Sequence, residues 1–130
     1  MAETSRYEQG RAVRRKLLGE DYADRMDQKV YADPIMKKFG EVAAENIFGG
    51  LWTRPGLDLK TRALICVISD TVMGRGAELA IHVRMARRQG WTEDELVEAL
   101  LHVSGYCGVP LVREALIEAR KVFEEMRAEG

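Results

Sequence analysis

A chain of 130 residues, 46% hydrophobic and 32% charged, fits a single globular domain with one real core. A formal net charge of -1, and aromatics at 7% with none interleaved among basic residues, argue against nucleic acid or an anionic membrane as a partner. No apolar run approaches the ~20 residues of a membrane span, and the polar opening Met1 to Arg15 has no apolar signal core, so the expected location is the cytoplasm.

In chain order the elements read as helices. Ser5-Arg6-Tyr7-Glu8 has the form of a capping box, and the helix it opens should run to about Leu18 and stop at Gly19. A short helix is expected from Tyr22 to Ala32. Asp33-Pro34 then pairs an N-cap with a proline at the first helical position. Ile35, Phe39, Val42 and Ala43 lay an apolar stripe along the third helix, which should fail at Gly49-Gly50. Leu51 to Leu57 reads as a loop. Asp58 can cap a helix from Leu59 to about Met73. The continuous apolar centre of that helix, Ala63 to Ile68, would also suit a buried strand, but the longer pattern favours helix.

Gly74-Arg75-Gly76 breaks the chain before a helix from Ala77 to Gln89 that Gly90 should stop, with Arg84, Arg87 and Arg88 read as its solvated end. Thr92-Glu93-Asp94-Glu95 is a second capping box, and its helix carries Leu96, Leu100, Val103 and Cys107 on one face. After Gly108-Val109-Pro110 a last helix should bury Val112, Ala115, Leu116, Ala119 and Phe123. The pattern predicts an all-α fold of six or seven helices with short connections.

Few residues stand out chemically. Glu78 and His82, four apart, share one helix face. A carboxylate can orient an imidazole for general acid–base work, although the same spacing also serves as a plain surface pair. Arg54, beside Trp52 in a Pro/Gly-constrained loop, could offer a carboxylate its bidentate fork next to an aromatic wall, or could simply close the following helix. Arg62, in the first turn of its helix, opposes the helix dipole and calls for an acidic partner or an anion. His102, with Glu98 one turn before it and Tyr106 one turn after, reads either as a relay or as a polar helix-face residue.

Cys66 and Cys107 lie far apart in separate apolar runs, which excludes a C-x-x-C pair and suggests two buried, reduced thiols. Neither a metal-ligand spacing nor a nucleotide-binding motif occurs, so no metal is expected.

Several strings resemble the carboxymuconolactone decarboxylase family: Trp52-Thr53-Arg54-Pro55-Gly56-Leu57-Asp58, Lys60-Thr61-Arg62-Ala63-Leu64, Glu78-Leu79-Ala80-Ile81-His82, and Tyr106-Cys107-Gly108-Val109-Pro110. The opening Tyr7-Glu8-Gln9-Gly10 and the stretch Gly90 to Glu95 fit as well, so the likeness covers nearly the whole chain in order. It implies the all-helical alkylhydroperoxidase D-like fold, assembly as a homo-oligomer (a trimer or hexamer), and sites near subunit contacts. The family's peroxidase branch carries a cysteine pair just ahead of the matched histidine. The stretch Gly76 to Ile81 has none, and Ala63 stands near the place of that branch's relay glutamate. A thiol–dithiol cycle is therefore chemically absent.

The decarboxylase branch converts 4-carboxymuconolactone to 3-oxoadipate enol-lactone in protocatechuate catabolism, without a metal or organic cofactor. On that likeness His82 is expected to deliver the proton, Glu78 to orient it, Arg54 or Arg62 to bind the anion, and Trp52 and Tyr106 to line the substrate. Phe48-Gly49-Gly50, where the decarboxylases often have Trp-Gly-Glu, and His102, where a Gln or other polar residue is usual, depart from the pattern. A related enzyme on another lactone or oxo acid, or a non-catalytic oligomeric binding protein, are the competing readings.

Overall fold

The computed structural model describes residues 4–130, so Met1 to Glu3 of the polar opening lie outside the described residues. Those residues form seven α-helices and one π-helical segment, with no strand among them. The chain divides into two compact units, residues 1–57 and 58–130.

In the first unit, α1 (Arg6–Leu18) starts where the Ser5 hydroxyl accepts from the Glu8 amide and ends at Gly19, whose φ of 90° suits only glycine. Gly19 also opens α2 (Glu20–Lys29), so α2 begins two residues earlier than expected, with Glu20 and Asp21 facing its positive end. It also stops three residues short of Ala32, because the chain must turn extended at Asp33 ahead of Pro34. The Asp33 carboxylate caps α3 (Pro34–Val42) by accepting from the amides of Ile35 and Met36, both at 3.0 Å. The helical path continues through a π-helical segment, Ala43–Phe48, before it ends at Gly49.

The stripe on α3 exists but faces outward: Ile35 is 77% exposed, Phe39 57% and Val42 59%. An apolar stripe is buried only where an element opposes it, and the described residues of this unit provide none on that side. Its buried side lies elsewhere, at Leu17, Leu18, Ala23 and Ala44.

The second unit comprises α4 (Leu59–Met73), α5 (Gly76–Arg88), α6 (Glu93–Cys107) and α7 (Val109–Glu129). Asp58 caps α4 through the Thr61 amide at 2.7 Å, and its hydrogen bonds from Thr61 hold the carboxyl below the usual carboxylate range. The apolar centre of α4 is helix, as the longer pattern requires. The Thr92–Glu95 capping box is complete in both directions. Pairs α4–α5, α5–α7 and α6–α7 carry most of the packing. Leu79, Met85, Leu96 and Leu100 are fully buried, and each such side chain contributes about 1.5–3 kcal/mol.

One arginine departs from expectation. Arg84 is only 4% exposed rather than solvated, and its two terminal nitrogens donate to the two carboxylate oxygens of Glu129 at 2.8 Å each. A planar guanidinium can be buried when a matching fork satisfies it. Arg88 is exposed, and Arg87 donates to the Trp91 carbonyl.

Candidate active site

Asp70 is a single carboxylate on a helix whose neighbouring positions are mostly apolar, and it is 7% exposed. A buried charge needs a partner. It finds one in His82: the Asp70 Oδ2 lies 2.5 Å from the imidazole Nδ1. The two residues are brought together by the reversal between α4 and α5, where Gly74 adopts φ 68° and the Arg75 amide donates to the Asp70 carbonyl at 2.8 Å. Asp70 thus fixes the turn through its backbone and the histidine through its side chain.

The imidazole is partly buried, with 17% of the side chain exposed. Its Nε2 makes no hydrogen bond among the described residues. A carboxylate at Nδ1 leaves Nε2 as the nitrogen that accepts or delivers a proton.

The carboxylate expected to orient His82 was Glu78. It lies one turn before His82 on α5 but is exposed, and the partner at Nδ1 is Asp70. In the first turn of α5, Glu78 also faces that helix's positive end.

The other expected residues fall as follows. Arg62 is half-buried in the first turn of α4. In the first unit, Arg54 is exposed in the turn after the π-helical segment, and Trp52 is buried, its ring stacked on Phe48 with centroids 5.9 Å apart. The Thr53 hydroxyl donates to the Gly49 carbonyl and ties the loop back to the helix end. On α6, Tyr106 is 83% exposed and its ring leans on His102, 5.4 Å between centroids.

Asp70 also borders a cleft of about 220 Å³ walled by Gly74, Arg75, Leu111, Glu114 and Glu118. His82 is not part of its wall, so the cleft borders the partner of the histidine and not the histidine itself. No cluster of potential metal ligands occurs among the described residues, and no helix there is long and apolar enough to cross a membrane.

Cys66, one turn before Asp70 on α4, is a free, partly buried thiol. Burial, and then the Asp70 charge, push its pKa up to about 11. Its alkylation in a Cys107→Ser background should therefore rise about tenfold per pH unit from pH 8 to pH 10 with no plateau. Mass spectrometry of iodoacetamide-treated protein checks this, and a plateau near pH 8.5 would refute it.

Comparison with known proteins gives this chain a family. The chain is 34% identical over 126 residues to 4-carboxymuconolactone decarboxylase of Acinetobacter baylyi, covering 97% of this chain and 92% of that protein. It is 36% identical over 126 residues to nitrosuccinic acid decarboxylase of Metarhizium robertsii, covering 95% and 85%. Both relatives are decarboxylases by name, and the described residues of this chain are all-helical. Residues 38–121 match the carboxymuconolactone decarboxylase family, and the chain belongs to it.

Proposed function

We propose that the protein is a cofactor-independent decarboxylase acting on 4-carboxymuconolactone in the catabolism of aromatic acids such as protocatechuate. The observation that carries this reading is the His82 imidazole, bonded to Asp70 at Nδ1 and without a hydrogen bond at Nε2 among the described residues, in a chain similar to two decarboxylases along nearly its full length.

The chemistry asks little of the protein. The bond from ring carbon to carboxylate breaks, CO₂ leaves, and the electron pair passes into the conjugated lactone as a dienolate. His82 delivers the Nε2 proton to carbon, giving 3-oxoadipate enol-lactone, and solvent returns a proton to the ring. Within the unit that carries His82, Arg62 is the candidate to hold the anion and offset the developing oxyanion, and Tyr106 to line the substrate. The carboxylate must be held lightly, because binding ground state and transition state equally does not raise kcat. Glu78 keeps a place as a second ionisable group one turn from the imidazole.

A second substrate shares this electron demand. In nitrosuccinic acid, the acid named for the fungal relative, a nitro group can take up the electron pair as a nitronate. The protein is also read as a homo-oligomer, trimeric or hexameric. Ile35 and Phe39 on α3, and Ile65 and Met73 on α4, are exposed apolar side chains of the kind that subunit contacts cover.

The test is an assay of the purified, folded chain on freshly generated 4-carboxymuconolactone and on nitrosuccinic acid, with light scattering to count subunits. Loss of ultraviolet absorbance, one CO₂ per turnover and one deuterium on carbon in D₂O are expected with the lactone. Turnover of nitrosuccinic acid alone would reassign the substrate. Turnover of neither would move the reading to another oxo acid or to a non-catalytic binding protein.

A further inference from the structure

We infer that Asp70 is the positioning residue of this site: it holds His82 in the Nδ1–H tautomer, so that Nε2 alone handles the proton. The catalytic consequence rests on the decarboxylase reading, whereas the tautomer can be read without it.

Three observations converge. The Asp70 carboxylate is buried and meets Nδ1 at 2.5 Å. Its own backbone carbonyl receives the Arg75 amide, so one residue anchors the α4–α5 reversal and the ring two turns further on. Other ionisable groups within two turns of the pair or at the cleft are Cys66 on α4, Arg75 at the N-cap of α5, Glu78 on α5, and Glu114 and Glu118 of α7. None of them hydrogen-bonds the ring among the described residues.

An ionised carboxylate only accepts hydrogen bonds, so Nδ1 must donate. In the neutral ring the sole basic site is then Nε2, and in the charged ring Nε2 carries the transferable proton. During turnover one proton leaves Nε2 for carbon and one returns from solvent, while Asp70 remains a carboxylate throughout. An amide in its place can instead present its NH₂ to Nδ1. That selects the opposite tautomer, in which Nε2 of the neutral ring carries the hydrogen, and the acid–base cycle stalls.

The experiment compares wild type, Asp70→Asn and Asp70→Glu as folded full-length chains. Imidazole ¹⁵N shifts report the tautomer, with His102→Gln used to assign the His82 signals. Wild type should show a protonated Nδ1 and an unprotonated Nε2 in the neutral ring. Asp70→Asn should lose that preference and about 10²-fold or more in kcat, with KM changed less than about threefold. Asp70→Glu, which keeps an acceptor, should recover part of both. An unchanged tautomer in Asp70→Asn, or a changed tautomer with undiminished kcat, would overturn the inference. If wild type turns over neither acid, the decarboxylase reading fails and the ¹⁵N shifts still decide whether Asp70 sets the tautomer.

Discussion

Replacing His82 with glutamine should lower kcat on the lactone by about 10²–10⁴-fold, the usual worth of a positioned proton donor. The choice of substitute matters because of what the histidine leaves behind. His82→Ala would strand the Asp70 carboxylate, which is 7% exposed and bonded to the ring. An unsatisfied buried acceptor costs about 1–3 kcal/mol, more if charged. The alanine variant should therefore be inactive and also melt at lower temperature. Glutamine can offer Asp70 an amide hydrogen and cannot donate a proton to carbon, so it separates the two effects. The check is kcat and KM together with a thermal melt. If His82→Gln retains turnover within about threefold, the proton comes from elsewhere, and Glu78, one turn away and exposed, becomes the next residue to test.

The parts of this protein that could be read from sequence are those governed by local chemistry. Thr92 with Glu95, Asp33 with Pro34, and Asp58 ahead of Leu59 each act within one helical turn, and all three start helices as expected. His82 was legible as a candidate for the same reason, since it stands in a recognisable string. Its partner was not. Asp70 is twelve positions away, and the pairing depends on a left-handed glycine reversing the chain between two helices. A signal existed: a lone carboxylate between the apolar run Ala63–Ile68 and Val72-Met73 must find a hydrogen-bonding partner if its helix is buried. Glu78 gives the stronger local signal, since i,i+4 spacing alone places it on the histidine's face. Arg84 repeats the lesson. Its fork on Glu129 spans 45 positions, so only the fold could show that it is buried rather than solvated. The α3 stripe fails differently. Its periodicity is helical as expected, but periodicity does not say what opposes a face, and among the described residues Ile35, Phe39 and Val42 stay exposed.

A substitution far smaller than a catalytic deletion should damage the first unit most. Gly10→Ala is expected to cost about 3 kcal/mol or more, the upper end for overpacking, and to lower Tm by roughly 10 °C. In isolation Gly10 looks like a defect, since glycine inside a helix costs about 0.5–1 kcal/mol relative to alanine. The structure gives it a purpose. A Cβ there would fall 1.7 Å from the Ala44 carbonyl oxygen and 2.7 Å from the Gly49 amide nitrogen. Both are backbone atoms of the π-helical segment and its end, so no rotamer change relieves the overlap, and α1 would have to lift off. Gly49 faces the same contact from the other side, with a Cβ only 2.0 Å from the Arg6 carbonyl oxygen. Either variant breaks one backbone approach, so the double variant should cost little more than the worse single one. Gly105 in α6 provides the control: a Cβ there meets nothing within 4 Å, and Gly105→Ala should stabilise by about 0.5–1 kcal/mol. Thermal melts of the four variants beside wild type separate these cases. A Gly10→Ala variant that melts within about 2 °C of wild type would mean that α1 and the π-helical segment do not meet backbone to backbone.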